Sequence, residues 1–201
     1  GLVYDWRDSF ESDKAADDHK KLLAKIVKWA RDRTLLKQDW VAGIPNRYKA
    51  DRTKIVWTPD EIETVIEKGP THLARAMIVA TETGLRPGDQ IKLTRAHIRT
   101  HENGGRYIDM TTSKRQRDVF IPVTKRLADV IDATPEGQEH IVVGAGGKPY
   151  KNTNSLSHAM TKLRKELKLR DELNYYDARS YCVTRLLRAG LSLDKVAIHM
   201  G

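Results

Sequence analysis

The 201-residue chain has one cysteine and no long apolar run. Because a disulfide needs two thiols, the lone Cys182 excludes an internal disulfide, and so little cysteine is typical of a reducing compartment. No apolar run approaches the ~20 residues of a membrane-spanning helix, so we expect no membrane segment. The first residues do not have the pattern of a signal peptide, so we expect none. Carboxylates, histidines and cysteines do not cluster at metal-ligand spacings, so we expect no metal site.

The composition describes a folded, basic protein. Hydrophobic residues make up 39% and charged residues 31% of the chain, which is typical of a globular fold. The formal net charge is +9 and the sequence pI is about 9.6. Such a charge favours a polyanionic partner, because neutralised phosphates release their condensed counterions. Charge alone leaves open an ordinary basic protein with solvated lysines.

The chain divides into a short first part and a longer second part. Residues 19–30 have apolar residues at helical spacing, which predicts an amphipathic helix. Residues 39–52 contain the helix breakers Gly43, Pro45 and Asn46 and indicate an irregular linker. We therefore expect domains over residues 1–52 and 53–201. Residues 1–52 are too few for a sizeable core, so we expect them to be the end of a larger helical domain.

Helical patterns surround a candidate site residue, Arg86. Thr58 and Glu61 form a capping-box pattern, which predicts a helix that runs to Lys68. Residues 71–83 are apolar nearly all round and predict a central helix. Arg86 follows Gly84 at its end, before a short helix that begins at Pro87 and carries Ile91 and Leu93. An arginine that binds the last carbonyls of a helix is the structural alternative for Arg86.

The remaining patterns predict a small sheet and further helices. Residues 106–111 and 118–123 have strand-like alternation, residues 101–105 indicate a turn, and residues 113–117 (SKRQR) form a basic hairpin tip. Helices are predicted over residues 124–133, from Asn154 or Ser155, over 177–189 and again from Ser192, with a short strand at 140–143. The expected fold is mainly α with a small antiparallel β-sheet. The last two helices also have the outline of a helix-turn-helix DNA reader.

Three sequence boxes together resemble the tyrosine recombinases of the phage-integrase family. Residues 83–89 (TGLRPGD) are similar to the family's first arginine box, in which Arg86 would bind the scissile phosphate and Asp89 would support the site. Residues 112–117 (TSKRQR) resemble its β-hairpin, with Lys114 as general acid. Residues 176–190 (YDARSYCVTRLLRAG) resemble the second arginine box, with Arg179 as the second phosphate ligand. Two arginines and a lysine suit one phosphate.

The chain departs from the family pattern at two places. Tyr176 stands where the family usually has histidine; its hydroxyl can donate a hydrogen bond but does not shuttle protons at neutral pH. The family's next histidine follows the glycine that corresponds to Gly201, and its tyrosine nucleophile lies farther on, so we expect both beyond these residues. His199 precedes that glycine and is interpreted as a structural histidine.

The resemblance implies a recombinase catalytic fold over residues 53–201, preceded by the end of a core-binding domain. It implies site-specific DNA recombination through a 3′-phosphotyrosine, without a cofactor, by an enzyme that assembles as a homotetramer on double-stranded DNA. This 201-residue piece is expected to be an inactive monomer from a cytoplasmic, bacterial or phage-encoded protein. DNA contacts are expected from Arg115, Arg117, Arg185 and Arg188. A non-catalytic helix-turn-helix factor and a type IB topoisomerase are the alternatives.

Overall fold

A computed structural model describes residues 1–49, 52 and 54–201. The chain separates into two compact units, Gly1–Arg52 and Thr53–Gly201. The linker predicted over residues 39–52 includes Ala50 and Asp51, which, like Thr53, lie outside the described residues. No helix in the described part of the chain is long and apolar enough to cross a membrane.

The first unit is built on one long helix. It contains α1 (Leu2–Asp8) and α2 (Asp13–Asp32), and the Ser12 hydroxyl caps α2 by accepting a hydrogen bond from the backbone of Ala15. The irregular segment that follows is held to α2 by Asp17, whose carboxylate accepts 3.0 Å hydrogen bonds from the backbone of Arg47 and Tyr48. The predicted apolar face of α2 is only partly covered: Val27 and Ala30 are buried, but Leu22 and Ile26 are more than half exposed.

The second unit is mainly helical with one small sheet, as the sequence predicts. Its α-helices are α3 (Pro59–Lys68), α4 (Thr71–Thr83), α5 (Pro87–Gln90), α6 (Lys125–Asp132), α7 (Thr153–Glu166), α8 (Ala178–Arg188) and α9 (Leu193–Met200). Its strands are β1 (Ile98–Thr100), β2 (Arg106–Thr111) and β3 (Asp118–Pro122), and 3₁₀ turns span Arg95–His97 and Tyr175–Asp177.

Helix α4 is at the centre of this unit, as its nearly uniform apolarity predicts. It packs against α3, α6 and α8, and Ala76, Met77 and Val79 are fully buried. Both ends of α3 follow the sequence signals. At its start the Thr58 hydroxyl accepts a hydrogen bond from the backbone N–H of Glu61, and the Glu61 carboxylate accepts one from the backbone N–H of Thr58. At its end the helix stops at Lys68, before Gly69. Because α4 is packed on several sides, its last turn is a rigid support for the residues that follow.

The sheet is an antiparallel meander in the order β1-β2-β3. Ile108 pairs with Ile98 on one side and with Ile121 on the other, and alternate residues of β2 and β3 face the core. Ile108 and Ile121 are fully buried, whereas Phe120, the residue before Ile121 in β3, is 61% exposed. The β2–β3 connection therefore projects from a sheet that is anchored in the core on one face.

Several local predictions were wrong. Strand β1 was not predicted, because three residues are too few to show alternation. Residues 140–143 form isolated bridges, Thr94 with His140 and Val143 with Pro149, and not a strand. Asn152 caps α7, which therefore begins at Thr153. Helix α5 ends at Gln90, before the two apolar residues that it was predicted to carry.

Candidate phosphate-binding site

Arg86 lies in a tightly fixed turn between α4 and α5. The Thr83 hydroxyl accepts a hydrogen bond from the backbone of Leu85 (3.1 Å), and the Arg86 carbonyl accepts from the backbone of Asp89 and Gln90 at 2.8 and 2.9 Å. The Nε and Nη1 atoms of Arg86 are buried and have no hydrogen-bond partner among the described residues, while Nη2 is 3.4 Å from the Gly201 carbonyl. Buried cationic donors without acceptors are costly, so this guanidinium is suited to an anionic ligand.

Gly84 allows helix α9 to approach the same turn. Its φ angle is +65°, and a Cβ atom there would lie 2.6 Å from the Met200 Sδ and 3.2 Å from the Cys182 Sγ. The positive φ angle therefore favours glycine, and a side chain at this position would also force the thioether end of Met200 to move.

Substitution Gly84→Ala is expected to lower the free energy of unfolding by about 2 kcal/mol, since the displacement of the Met200 thioether adds to the backbone strain. Gly104→Ala is the matched control: its φ is +82°, but a Cβ would meet nothing within 4 Å, so about 1 kcal/mol is expected from strain alone. Urea denaturation of both variants measures the difference. Equal losses would contradict the close packing of α9 against Gly84.

Arg179, on the first turn of α8, lies close to Arg86. Its Nη1 donates to the Gly84 carbonyl (2.5 Å) and its Nη2 to the Met200 carbonyl (2.8 Å). Burial, and then the positive charge of Arg86, lower the pKa of the Arg179 guanidinium below its ordinary value. The two arginines thus form a positive cluster between the ends of α4 and α9, where an anion would relieve their repulsion.

Asp89 connects the arginine turn to the β2–β3 hairpin. Its carboxyl group is buried, and Oδ1 accepts a 2.8 Å hydrogen bond from the backbone of Ser113, next to Lys114. The Ser113 hydroxyl in turn accepts from Lys92. At the base of the tip the Thr112 N–H donates to the Arg117 carbonyl. Asp89 thereby holds the base of the hairpin that carries Lys114.

One open cavity of about 350 Å³ brings several predicted site residues together. Arg86, Lys114 and Tyr176 line it, together with Asp89. Arg179 is not in this lining, since its terminal nitrogens bind backbone carbonyls. Among the described residues, no three His, Cys, Asp or Glu side chains are placed to hold a metal ion.

Two cavity residues on α7, Thr153 and Ser157, were missed by the sequence analysis. They bring hydroxyl groups to the side of the cavity formed by the first turns of that helix. The segment NTNSLS over residues 152–157 is rich in hydroxyl and amide side chains, and this was the available signal. It was used only to place the helix start, because nothing local shows that α7 faces the arginine turn.

Adjacent tyrosines have opposite environments. Tyr176 is 51% exposed and faces the cavity, whereas Tyr175 is 4% exposed. Both belong to the 3₁₀ turn that leads into α8, and Asn174 caps that turn. Tyr176, at the position where the resemblance implies histidine, is therefore placed to donate a hydrogen bond to a ligand in the cavity.

The four arginines predicted to contact DNA differ in their surroundings. Arg115, Arg117 and Arg188 are exposed. Arg185 donates to both carboxylate oxygens of the buried Glu82, at 2.5 and 3.0 Å, and this pairing raises the pKa of its guanidinium. The ion pair gives Arg185 a structural role, joining α8 to the last turn of α4. DNA contact by all four remains a prediction.

His199 is placed as a structural residue. Its Nε2 is 3.1 Å from the Thr83 carbonyl oxygen, and burial lowers the pKa of the ring below its ordinary value. It does not line the cavity. A neutral ring that donates to the carbonyl at the end of α4 stabilises the α4–α9 contact.

Comparisons with known proteins give the fold and the family. Over the whole chain, the fold matches a lambda integrase dimer bound to a COC′ core site (TM-score 0.77, 20% identity, 76% of that chain covered). It also matches a lambda integrase tetramer bound to a Holliday junction (0.75, 20%, all of this chain and 62% of that one). The Tn1549 transposon integrase in complex with circular intermediate DNA is similar as well (0.68, 16%, 100% and 75%).

Sequence comparison identifies the family of the second unit. No curated protein sequence matched the chain significantly, but the sequence profile of the phage integrase family matches residues 55–201. This match covers most of the chain, including the arginine turn, the hairpin and the α8 segment. The chain therefore belongs to the phage integrase family of tyrosine recombinases, and residues 55–201 lie in its DNA breaking-rejoining catalytic domain.

Proposed function

We propose that the chain is part of a site-specific DNA recombinase that cleaves and rejoins strands through a 3′-phosphotyrosine. The observation that carries this proposal is the Arg86 guanidinium, two of whose buried nitrogens have no partner, in a cavity shared with Lys114 and Tyr176. One DNA phosphate in this cavity would supply the missing acceptors. The surrounding positive charge would favour duplex DNA over a neutral ligand.

In this proposal Arg86 and Arg179 bind the non-bridging oxygens of the scissile phosphate, and Arg179 exchanges its hydrogen bonds to the Gly84 and Met200 carbonyls for bonds to the phosphate. Negative charge on these oxygens grows in the pentavalent transition state, where donors already in place stabilise it most. Tyr176 adds a neutral hydrogen-bond donor. Asp89 acts through the Ser113 backbone, holding the hairpin against the arginine turn.

Lys114 acts as the general acid. A tyrosine hydroxyl attacks and gives up its proton to a base or to water; the bond between its oxygen and phosphorus forms while the bond from phosphorus to the 5′ oxygen breaks. The leaving 5′ oxygen takes a proton from the Lys114 ammonium. Because the phosphotyrosine conserves the phosphodiester energy, rejoining by the reverse steps requires neither ATP nor a metal in this scheme.

We propose that the nucleophile lies outside these 201 residues. Tyr175 is buried, and in this proposal Tyr176 is a ligand of the phosphate. Residues 1–52 would be the end of a core-binding domain, and the intact protein would assemble as a tetramer on two duplexes. The solved lambda integrase tetramer on a Holliday junction supports this assembly by its similarity.

The helix-turn-helix alternative is less well supported. It requires Arg185 and Arg188 to face a DNA groove, but the two terminal nitrogens of Arg185 already donate to the Glu82 carboxylate. A type IB topoisomerase would use the same chemistry; relaxation of supercoiled DNA that lacks a specific site would distinguish it from a recombinase.

The general-acid role is tested with a substrate whose leaving group is sulfur. A 5′ thiolate leaves without protonation, because a thiol has a pKa near 8.5, far below that of an alcohol. Lys114→Ala in the intact protein should slow cleavage of the ordinary nicked site by about 10²-fold or more and restore near-normal cleavage of the 5′-thio site. Covalent adduct formation on gels measures both rates.

The exposed neighbour Arg115→Ala serves as control and should leave both rates within a few-fold of the parent. The 201-residue piece should bind the nicked site without forming an adduct. A Lys114 variant that is equally slow on both substrates would contradict the general-acid role, and an adduct with the piece alone would overturn the external nucleophile.

A further inference from the structure

A buried hydrogen-bonded link runs beneath the candidate site between segments far apart in sequence. Gln90, 2% exposed, donates from Nε2 to the Leu85 carbonyl at 2.7 Å. Its Oε1 accepts from the hydroxyl of Tyr175, which also lies 2.8 Å from the Ala76 carbonyl of α4. Burial raises the pKa of Tyr175 well above its ordinary value, so the hydroxyl stays a neutral donor.

One end of this link fixes the turn that carries Arg86. Leu85 directly precedes Arg86, and Gln90 is the last residue of α5, so the bond from Gln90 to Leu85 closes a loop around Arg86. The backbone bonds from Asp89 and Gln90 to the Arg86 carbonyl close the same loop from within. The direction in which the Arg86 side chain projects from the backbone therefore depends on the Gln90 amide.

The other end fixes the segment that carries Tyr176 and Arg179. Tyr175 begins the 3₁₀ turn, Tyr176 is the next residue, and Arg179 is on the first turn of α8. The Tyr175 ring belongs to the hydrophobic core, and its hydroxyl is its polar connection to the arginine turn. Hydrogen bonds are directional, so this link sets a distance and an angle that apolar packing alone would leave looser.

We infer that Tyr175 and Gln90 are positioning residues that hold Arg86 in register with Tyr176 and Arg179. Neither side chain lines the cavity, so neither acts on the substrate directly. Their effect on cleavage is exerted through the placement of Arg86. The expected effect on the cleavage rate rests on the function proposed above, whereas the expected effect on the position of Arg86 does not.

The test combines a double-mutant cycle with a direct probe of Arg86, both in the intact protein. Tyr175→Phe removes only the hydroxyl and should slow single-turnover adduct formation on a nicked DNA site by about 10-fold, since small misplacements of reacting groups are costly. In an Arg86→Lys background the Tyr175→Phe change should slow adduct formation by less than about 2-fold, because the guanidinium that the Tyr175 hydroxyl positions is absent. Gln90→Met should behave like Tyr175→Phe.

Tyr150→Phe is the matched control. Its hydroxyl is buried and has no hydrogen-bond partner among the described residues, so its removal should leave the cleavage rate unchanged. Thermal unfolding of each variant verifies that it is folded. In ¹⁵N NMR spectra of the arginine side chains, the Arg86 Nε–H resonance should shift or broaden in Tyr175→Phe and Gln90→Met but not in Tyr150→Phe.

Additive rate losses in the cycle, or an Arg86 resonance identical to that of the parent, would overturn the positioning role. If the parent protein itself formed no covalent adduct, the proposed function would fail instead. The Arg86 resonance would then still decide whether Tyr175 and Gln90 hold the arginine turn.

Discussion

Replacing Arg86 by alanine in the intact protein is expected to slow covalent DNA cleavage by about 10³-fold or more. The magnitude follows from the loss of a preorganised donor to a phosphate whose negative charge grows in the transition state. Duplex affinity should change little, because one phosphate contact among many is lost and the salt dependence of binding falls by about one unit of slope. Adduct formation on a nicked site and binding by fluorescence anisotropy measure the two quantities.

Two variants sharpen this prediction. Arg86→Lys retains the charge but lacks the guanidinium fork, so cleavage should remain strongly impaired. Arg117→Ala removes an exposed charge from the neighbouring hairpin and should weaken binding without a comparable loss in the cleavage rate. Unimpaired cleavage by Arg86→Ala would refute the assignment of Arg86 to the scissile phosphate.

Replacing Arg185 by alanine is expected to lower the free energy of unfolding by about 2 kcal/mol. Glu82 is 6% exposed and also accepts a 2.8 Å hydrogen bond from the Thr124 hydroxyl, so the change leaves a buried carboxylate without its counterion. The Arg185 side chain is 35% exposed, so the expected loss in the free energy of unfolding is smaller than for a fully buried ion pair.

Arg188→Ala, three residues farther along α8 and exposed, is the matched control. It should leave stability unchanged within about 0.5 kcal/mol and, if Arg188 contacts a phosphate, weaken duplex binding. Urea denaturation and binding titrations at one salt concentration separate the two effects. Equal stability of both variants would show that the Glu82–Arg185 pair does not hold α8 to α4.

Helices whose ends are marked by capping or helix-breaking residues were predictable from the sequence. The boundaries of α3 and α4 follow from the Thr58 capping box, the break at residues 69–70 and Gly84. Each of these residues determines the conformation or the hydrogen bonds of the backbone next to it, so no distant partner is needed. Strand β1 and the bridges of residues 140–143 were not predicted correctly. Strand β1 has only three residues, too few to show alternation, and residues 140–143 have partners distant in sequence, such as the Leu93 carbonyl that accepts from Ile141.

The predicted site followed from the resemblance more than from local patterns. Arg86 alone is compatible with a helix-end arginine, and indeed its Nη2 is near the Gly201 carbonyl. Its unpartnered Nε and Nη1 become visible only when burial is known. The pairing of Glu82 with Arg185, and the hydroxyls of Thr153 and Ser157 in the cavity, depend on how helices pack, which no local pattern specifies.

A crystal structure of the protein with a duplex that contains its cleavage site tests the phosphate site most directly. We expect a single phosphate within hydrogen-bond distance of Arg86, Arg179 and Lys114, with the Arg86 Nε and Nη1 as donors to its oxygens. A complex in which Arg185 and Arg188 enter a groove while Arg86 and Lys114 lie away from the DNA would contradict the proposed site.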